Sequence, residues 1–398
     1  MSGASREVLL TGFGVRTAFG TGADALRAGV FDGRPAFAPV TRFDTGPYRT
    51  DMAATHGPAA PLHEVLAETA GAAVGMAGLP AGARAAVLVG TAGDFTGLTR
   101  FWRAAASGGS ASGGSPEDAE DTDGAAGGVA RTVPAWQAEA LADALGVRGP
   151  RLAFTGACVA SATAVLHACA LIASGRADTA VCAGAYLVEE ENLAKFGSGF
   201  ALSTDGTVRP FCADRSGLLL GDGAAAVVLE SADSARRRGA RPLGALTGWG
   251  AAADAHHVAR PHPEGAGLAA AAGRALRRAG GPRIDYVNAH GTATRHNDPA
   301  ETRGLREVFG PYADAVPVSS TKSTTGHLLE ASGVVELVIT LLALRDGVLP
   351  PTAGFTAPDP LCDLDYVPNR PRRAEIRRAM TVNAAFGGTH TALVLERA

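Results

Sequence analysis

The chain has 398 residues, of which 46% are hydrophobic and 19% are charged, so it can bury a large core and form several domains or two fused halves. Its formal net charge of −3 argues against nucleic-acid and anionic-membrane partners, because those require a basic surface. Its apolar runs fall short of the roughly 20 residues that a membrane span needs. Residues 1–14 lack the basic start and apolar core of a signal peptide, so we expect a cytoplasmic protein.

Short apolar segments alternate with Ala/Leu-rich segments along the chain, which predicts a layered α/β fold. The predicted strands are VLLTGFGV (8–15), AAVLVGTAG (85–93), TAVCAGAYL (179–187), AAAVVLE (224–230), RIDYVNAH (283–290), VPVSST (316–321) and TALVLE (391–396). The predicted helices are 61–79, 161–175, 267–280 and 333–347. The last helix is apolar on all sides, so we expect a helix layer between two sheets.

Residues 105–130 interrupt this alternation, because they are rich in Gly, Ser and acidic residues and almost free of large apolar side chains. Such a segment cannot bury enough surface to become ordered, and it predicts a flexible insert. A domain linker is the alternative, which the continuing strand pattern on both sides disfavours. Similar strand–helix patterns before and after residue 245 predict two related halves, 1–245 and 246–398.

The five cysteines, at positions 158, 169, 182, 212 and 362, contain no C-x-x-C pair, which argues against a disulfide framework and a structural zinc site. Cys158 follows the apolar segment RLAFTG and precedes a predicted helix. The helix dipole and free backbone N–H groups at this junction are expected to lower the thiol pKa and favour a nucleophilic thiolate. A small buried residue in a strand–helix turn is the alternative, and the local pattern does not decide between them.

Two histidines follow predicted strands at places where α/β enzymes hold chemistry. His290 ends RIDYVNAH, and His327 follows Lys322 in SSTKSTTGH, where a glycine turn opens the apolar helix. The chain has only two lysines, Lys195 and Lys322, among its 36 basic residues. A tight pocket would favour the compact lysine charge over the planar arginine fork. The alternatives are a structural histidine at 290 and a lysine retained at 322 by chance.

A thiol with two neutral histidines suits acyl transfer followed by chemistry that develops negative charge on a carbonyl oxygen. The C-terminal sequence NAAFGGTH adds a Phe-Gly-Gly turn before the last strand. Its glycines, Gly387 and Gly388, let the backbone approach a ligand, so an N–H group there can complete an oxyanion hole and bind substrate.

Several stretches together resemble the β-ketoacyl synthase (ketosynthase) family of the thiolase fold. In family order they are TGFGV, VRGP, GACVAS, ALSTDGTVRPFCADRSGLLLGDGAAAVVLE, DAHHVARPHPEGAG, NAHGTAT, SSTKSTTGHLLEASGVVE and AFGGTH. The resemblance covers most of the chain and is weak over 100–135. The two-histidine pattern is similar to that of the elongating type found in bacterial fatty-acid and type II polyketide synthases. It implies a thiolase-like fold, layered αβαβα with two pseudo-symmetric halves.

The resemblance implies a decarboxylative Claisen condensation without a metal or redox cofactor. Cys158 would take an acyl chain from acyl carrier protein as a thioester. His290 and His327 would donate hydrogen bonds to the thioester carbonyl of malonyl-carrier protein and assist its decarboxylation, and the enolate would attack the Cys158 acyl group. Lys322 would orient the histidines, and Glu336 would anchor that network.

The resemblance also implies supporting roles. The backbone N–H groups of Cys158 and Phe386 would form the oxyanion hole, and Phe386 would gate the acyl pocket. Thr292 and Thr294 would contact the pantetheine arm of the carrier protein. The remaining implied positions are Asp298 and Glu301 as supporting residues near His290 and the segment Asp254–Gly267 as a second gating loop. The implied partner subunit is a second copy or a heterologous ketosynthase-like chain, with the inner sheets continuing across the interface.

Three other interpretations share this resemblance. A ketosynthase-like acyltransferase or cyclase would omit decarboxylation, which the small residues Ala384 and Ala385 in the gating loop suggest. A non-catalytic subunit similar to a chain-length factor would shape the pocket of its partner, although such subunits characteristically lose the cysteine that this chain keeps at 158. A degradative thiolase is disfavoured, because Cys362 lies in the wrong context, DPLCDLDYVP, to be its second cysteine.

Overall fold

The computed structural model describes residues 6–58, 60–96, 99, 102–103 and 129–398. Most of the predicted flexible insert, residues 105–128, lies outside these ranges, so that expectation stays a prediction. Residues 129 and 130 belong to a helical turn that leads into the next helix.

The strands of the described residues are numbered here in chain order. Their bounds are β1 Val8–Thr17, β2 Gly20–Thr21, β3 Ala38–Pro39, β4 Met52–Ala53, β5 Ala86–Gly90, β6 Arg151–Phe154, β7 Thr179–Tyr186, β8 Gly223–Ser231, β9 Gly244–Ala253, β10 Tyr286–Asn288, β11 Val318–Ser319, β12 Val348–Leu349, β13 Arg372–Arg373, β14 Arg378–Ala384 and β15 Thr389–Glu396.

The helices are numbered in the same way. Their bounds are α1 Ala23–Leu26, α2 Leu62–Ala77, α3 Pro134–Leu145, α4 Ala160–Ala173, α5 Glu190–Ser198, α6 Ala232–Arg237, α7 Ala266–Arg278, α8 Asn297–Phe309, α9 Lys322–Thr325 and α10 Ser332–Asp346. A π-helical turn covers Arg27–Phe31, and 3₁₀ turns cover Ala157–Val159, Gly310–Ala315 and Leu329–Ala331. No helix among the described residues has both the length and the apolar character of a membrane span.

The main sheet consists of two runs of five strands with the same topology. Its order within the described residues is β11-β10-β14-β15-β9-β1-β8-β7-β5-β6, with β2 paired to β1. From the outer edge inward, one run has the order β6, β5, β7, β8, β1 and the other has the order β11, β10, β14, β15, β9. In each run the first two pairs of neighbouring strands are parallel and the next two pairs are antiparallel. The runs join where β1 pairs with β9. This repeat confirms the predicted α/β fold with two pseudo-symmetric halves. The strands of the first run end at Ser231, and those of the second run begin at Gly244.

Two strands of the main sheet, β9 and β14, were not predicted from the sequence. In β9 the sequence GALTGWGAAA has little of the β-branched character that marks a strand. Its glycines are required by packing, because a Cβ at Gly248 would lie 2.2 Å from the carbonyl oxygen of Ala275, and one at Gly250 would lie 2.2 Å from that of Ala271. Helix α7 therefore lies directly on β9, and small residues replace the usual strand formers.

Helices α4 and α10 form the buried layer that the sequence predicts. Residues 332–344 of α10 are all buried, which explains its apolar character on every side. The two helices approach closely at Gly333, where a Cβ would lie 2.5 Å from the backbone nitrogen of Ala162. The N–H of Val334 donates a hydrogen bond of 3.1 Å to the Ser161 hydroxyl. These contacts fix the first turn of α4, three residues after Cys158.

We expect Gly333→Ala to lower the free energy of unfolding by about 1–3 kcal/mol, because the added methyl group overpacks a backbone contact. Gly71→Ala is the matched control: Gly71 also lies in a helix, but a Cβ there meets no atom within 4 Å. That control is expected to be neutral or stabilising by about 0.4–1 kcal/mol. Urea unfolding measures both variants, and equal stabilities would contradict the close crossing of α4 and α10.

Candidate active site

The thiol of Cys158 lies in the 3₁₀ turn Ala157–Val159, between β6 and α4, and the residue is 6% exposed. Ala157 has a φ of 48°, a left-handed conformation that strains a residue with a Cβ. The sequence predicts a sharp turn followed by a helix at this position, and the structure has both. The turn packs against a second 3₁₀ turn, Leu329–Ala331, which follows His327.

The predicted lowering of the Cys158 pKa is wrong. Burial raises the pKa of this thiol to about 12, and the nearby Glu330 carboxyl raises it further, whereas the Lys322 ammonium lowers it. Removal of water penalises the thiolate more than the start of α4 stabilises it. At neutral pH the resting sulfur is therefore a thiol, and any attack by it must include the transfer of its proton.

The imidazoles of His290 and His327 lie side by side in the interior. Their ring centroids are 5.3 Å apart with an interplanar angle of 81°, and both residues are buried. Burial lowers the pKa of each ring well below its ordinary value, and the Lys322 charge lowers both further. Each imidazole is therefore neutral at pH 7 and has one N–H to donate.

Hydrogen bonds hold the backbone and ring of His327 in place. The backbone N–H of His327 donates to the carbonyl oxygen of Leu219 at 2.7 Å. Its Nδ1 lies 3.1 Å from the hydroxyl of Ser332, the first residue of α10. When this hydroxyl donates to Nδ1, the ring proton is on Nε2. Nδ1 of His290 is buried without a hydrogen-bond partner among the described residues.

Two buried carboxyls support the turn after His290. Glu301 accepts hydrogen bonds from the backbone N–H groups of His290 and Gly291 at 2.6 and 2.7 Å. Asp298 accepts one from the N–H of Phe211 at 2.7 Å, and the Asn297 amide bridges both carboxyls. Burial raises the pKa of Asp298 to about 6 and that of Glu301 to about 7. Asp298 and Glu301 lie in the first two turns of α8, and the hydrogen bonds to Glu301 fix the backbone of His290 and Gly291.

We expect the contribution of Asp298 and Glu301 to stability to fall as the pH rises, because the folded chain retains protons on them that the unfolded chain releases near pH 3.8 and 4.5. The stabilisation is complete below those values and is lost as the pH rises through about 6 and about 7. Between the unfolded pKa of Glu301, 4.5, and its folded pKa of about 7, Glu301→Gln should reduce the slope of unfolding free energy against pH by about 1.4 kcal/mol per pH unit. Urea unfolding across this range, with exposed Glu64→Gln as the control, tests it, and an unchanged slope contradicts it.

Lys322 forms a fully buried ion pair with Glu336. Lys322 is 1% exposed and its Nζ donates to Oε1 of Glu336, whose Oε2 accepts from the Asn383 amide at 2.5 Å. The pair joins α9, α10 and β14. The His290 and His327 ring centroids are 5.3 Å apart, and the Cys158 turn packs on the turn that follows His327. All four side chains are buried, and the Lys322 charge affects the pKa values of the other three, so they lie in one buried region.

Phe386 lies at the surface beside this region, 52% exposed, with its ring stacked on Phe196 at 5.6 Å. The glycines after it have positive φ values, 86° at Gly387 and 74° at Gly388. The Gly387 N–H donates to the carbonyl oxygen of Val258 at 2.7 Å, so the Phe386 loop contacts the loop after Asp254. Ala385, directly before Phe386, is not among the residues with positive φ.

Thr292 and Thr294 lie directly after His290 and share a hydroxyl–hydroxyl hydrogen bond of 2.9 Å. Thr292 is buried and Thr294 is half-buried. The Arg215 guanidinium donates to the carbonyl oxygen of Thr294 at 3.1 Å, which fixes the segment from the opposite side.

Sequence reasoning missed several residues that surround the site. His390 of β15 bonds through Nε2 to Oδ2 of Asp254 at 2.9 Å, and that carboxyl also accepts from the backbone N–H groups of His262 and Gly267. The other missed residues are Tyr186, Glu189, Phe196, Glu330, Ser332 and Asn383. No local pattern marks them, because each acts only through tertiary contacts. Among the described residues, no cluster of three or more His, Cys, Asp or Glu side chains could hold a metal ion.

Comparison with known proteins identifies the family of this chain. The family model for the β-ketoacyl synthase N-terminal domain matches residues 56–235, and the model for the C-terminal domain matches 243–356. The ketoacyl synthase alpha subunit of the tetracenomycin polyketide synthase from Streptomyces glaucescens is 35% identical over 99% of this chain and 98% of its own length. The chain belongs to the β-ketoacyl synthase family.

Two further relatives show the breadth of this ketosynthase's similarities. The 3-oxoacyl-[acyl-carrier-protein] synthase 2 of Coxiella burnetii is 40% identical over 63% of this chain and 63% of its own length, so that match spans less than two thirds of the relative. The solved ishigamide ketosynthase/chain length factor is 32% identical, with a TM-score of 0.90, over 99% of this chain and all of the other. The thiolase-like fold predicted from the sequence is therefore correct.

Proposed function

We propose that this ketosynthase condenses a Cys158-bound acyl chain with malonyl-acyl carrier protein by decarboxylative Claisen condensation, in polyketide or specialised fatty-acyl biosynthesis. The observation that carries the proposal is the convergence of a buried thiol, two neutral imidazoles and one buried ammonium. Neutral N–H donors in a site from which water is excluded stabilise the negative charge that develops on a thioester oxygen. The three relatives described above support the same reaction class.

In the first half-reaction the Cys158 sulfur attacks the carbonyl carbon of the acyl-carrier thioester. A new C–S bond forms, the carrier C–S bond breaks, and the proton of the Cys158 thiol passes to the departing carrier thiol. Backbone N–H groups of Cys158 and Phe386 are the proposed donors to the tetrahedral oxyanion. The raised pKa of Cys158 requires that its proton leaves only as the acyl group arrives.

In the second half-reaction the bond between the α-carbon and the carboxylate of the malonyl group breaks and carbon dioxide leaves. The electron pair passes into an enolate, whose oxygen accepts hydrogen bonds from His290 and His327. The α-carbon then attacks the Cys158 thioester, the C–S bond breaks, and the sulfur takes one proton from solvent. Burial keeps both imidazoles neutral and the Lys322 charge adds to that effect, so Lys322 acts through them as a positioning residue, with Glu336 as its anchor.

The proposed partners are acyl carrier protein and a second ketosynthase-like subunit. The Coxiella burnetii relative is named as a synthase of an acyl chain on acyl carrier protein, and one solved relative is a ketosynthase/chain length factor. Strand β6 is the last strand of the main sheet in the described part of the chain, and its Leu152 is 39% exposed. An open strand edge of this kind is suited to pairing with another chain.

Incubation of the protein with acyl- and malonyl-carrier proteins tests the proposal through the intact masses of protein and carriers. We expect an acyl adduct on the protein, followed by a carrier-bound product longer by one ketide unit. Release of the acyl chain without extension would instead support an acyltransferase or cyclase. The absence of any adduct and product would support a non-catalytic subunit similar to a chain-length factor.

A further inference from the structure

A buried carboxyl faces the nucleophile and has no role in the condensation described above. Glu330 lies in the turn Leu329–Ala331, which packs directly on the Ala157–Val159 turn, and it is 8% exposed. Its charge is, after burial, the largest influence on the Cys158 thiol. A chain bonded to the Cys158 sulfur therefore begins beside this carboxyl.

The Glu330 carboxyl has an unsatisfied capacity for hydrogen bonds. Within the described ranges, its contacts with a donor are limited to its own backbone N–H, and no side chain forms an ion pair with it. Neither oxygen of this carboxyl is both fully buried and unpartnered, so water or a bound group can reach it. A donor on a bound acyl chain can take the place of that water.

A buried hydroxyl without a partner in the described part of the chain lies on a strand that packs on the same turn. Tyr186 ends β7, which packs on the Leu329–Ala331 turn, and the residue is 4% exposed. Its hydroxyl is buried without a hydrogen-bond partner among the described residues. Burial raises the pKa of this hydroxyl most, and the Glu189 and Glu330 carboxyls raise it further.

Glu189 completes the polar lining. Its Oε1 accepts a hydrogen bond of 2.6 Å from Asn192, and burial together with nearby acids raises its pKa to about 9. It is therefore protonated at neutral pH and can donate as well as accept. The cation felt by Glu330 is Lys195, which forms an ion pair of 2.6 Å with Glu191, so the lining around Glu330 is acidic overall.

We propose that Glu330, together with Tyr186 and Glu189, binds a hydrogen-bond donor on the Cys158-linked acyl chain, and that this ketosynthase prefers acyl chains with an amino or hydroxyl group near the thioester. The inference rests on the proposed function, because it assumes that Cys158 accepts an acyl chain. An amino group is the stronger match, since its positive charge offsets the acidic lining, whereas a hydroxyl group supplies a single neutral donor. An unsubstituted chain leaves the Tyr186 hydroxyl unpaired and displaces water from the Glu330 carboxyl without replacing its hydrogen bonds.

Competition between carrier proteins loaded with β-aminobutyryl, β-hydroxybutyryl and butyryl groups tests this inference. The measurement is the rate at which each acyl group appears on Cys158, read from the intact mass of the full chain. For the wild-type protein we expect about tenfold faster loading of at least one donor-bearing chain than of butyryl, the equivalent of one to two hydrogen bonds. The faster of the two donor-bearing chains identifies whether the donor is an amino or a hydroxyl group.

Variants of Glu330 and Tyr186 assign the preference to these groups. Glu330→Leu should reduce the preference to within about twofold, because the carboxyl that accepts from the amino or hydroxyl group is gone. Glu330→Gln should weaken the preference for an amino chain more than for a hydroxyl chain, and Tyr186→Phe should weaken both. Glu64→Gln, on the exposed face of α2, is the control and should behave as wild type.

The outcomes distinguish a failure of this inference from a failure of the proposed function. If wild-type protein loads butyryl as fast as both donor-bearing chains, the inference is wrong while the proposed function stands. It is equally wrong if Glu330→Leu and Glu330→Gln, shown to be folded by circular dichroism, keep the wild-type preference. If no acyl group appears on wild-type protein, the proposed function itself fails.

Discussion

Replacement of Cys158 by alanine should abolish acyl loading from the carrier protein, reducing the stable adduct on the chain to background. The sulfur is the atom that forms the thioester, and no other described thiol shares its surroundings. Cys169→Ala is the matched control, because Cys169 is also a buried thiol with a raised pKa but lies farther along α4. That control should load as wild type.

Replacement of Cys158 by glutamine should separate the two half-reactions. The amide cannot accept an acyl chain, so loading and condensation stop. His290 and His327 are unchanged, so decarboxylation of malonyl-carrier protein should continue at the wild-type rate or faster. Carbon dioxide release is the measurement. A stable acyl adduct on Cys158→Ala, or the loss of decarboxylation in a folded Cys158→Gln protein, would contradict the assigned roles.

Lys322→Met should cause the largest loss of stability among single substitutions at the site. It leaves Glu336 buried and charged with only the Asn383 amide as a partner, which costs about 3–5 kcal/mol for a broken buried pair. Lys322→Arg retains the charge but forces a planar fork into a closely packed space, at a cost of about 1–3 kcal/mol. We expect Lys322→Arg to reduce condensation at least about tenfold, the effect of a 1.4 kcal/mol change in the barrier.

A pH profile distinguishes positioning by Lys322 from general structural support. Because the Lys322 charge lowers the pKa values of His290 and His327, its removal should raise them. The acidic limb of the condensation rate should then move to higher pH in Lys322→Met protein that remains folded. Lys195→Arg, an exchange at the other, exposed lysine, is the control. Unchanged turnover in Lys322→Arg and an unmoved acidic limb in Lys322→Met would mean that the lysine at 322 is incidental.

The sequence predicts the buried layers of this fold well, because they have a strong pattern. Helix α10 is apolar on all sides, and it is buried in the middle layer as expected. Strand β9 could not be recognised, since its Gly248 and Gly250 are selected by contact with α7 rather than by strand propensity. That information lies in the packing of one element on another, which a local window does not contain.

The candidate site shows the same division. Cys158, His290 and His327 were recognised because each follows a strand in a distinctive motif. The Cys158 pKa was predicted in the wrong direction, since burial, which depends on the whole fold, outweighs the effect of the helix start. Glu330 and Tyr186 were missed because only the packing of the Leu329–Ala331 turn on β7 and on the Cys158 turn brings these elements together.

The ratio of carbon dioxide released to ketide product formed tests the account most directly. Wild-type protein, supplied with an acyl-carrier and a malonyl-carrier protein, should give one carbon dioxide for each chain extended, and Cys158→Gln should give carbon dioxide without extension. Transfer or release of the acyl chain by the wild-type protein with no carbon dioxide would contradict it.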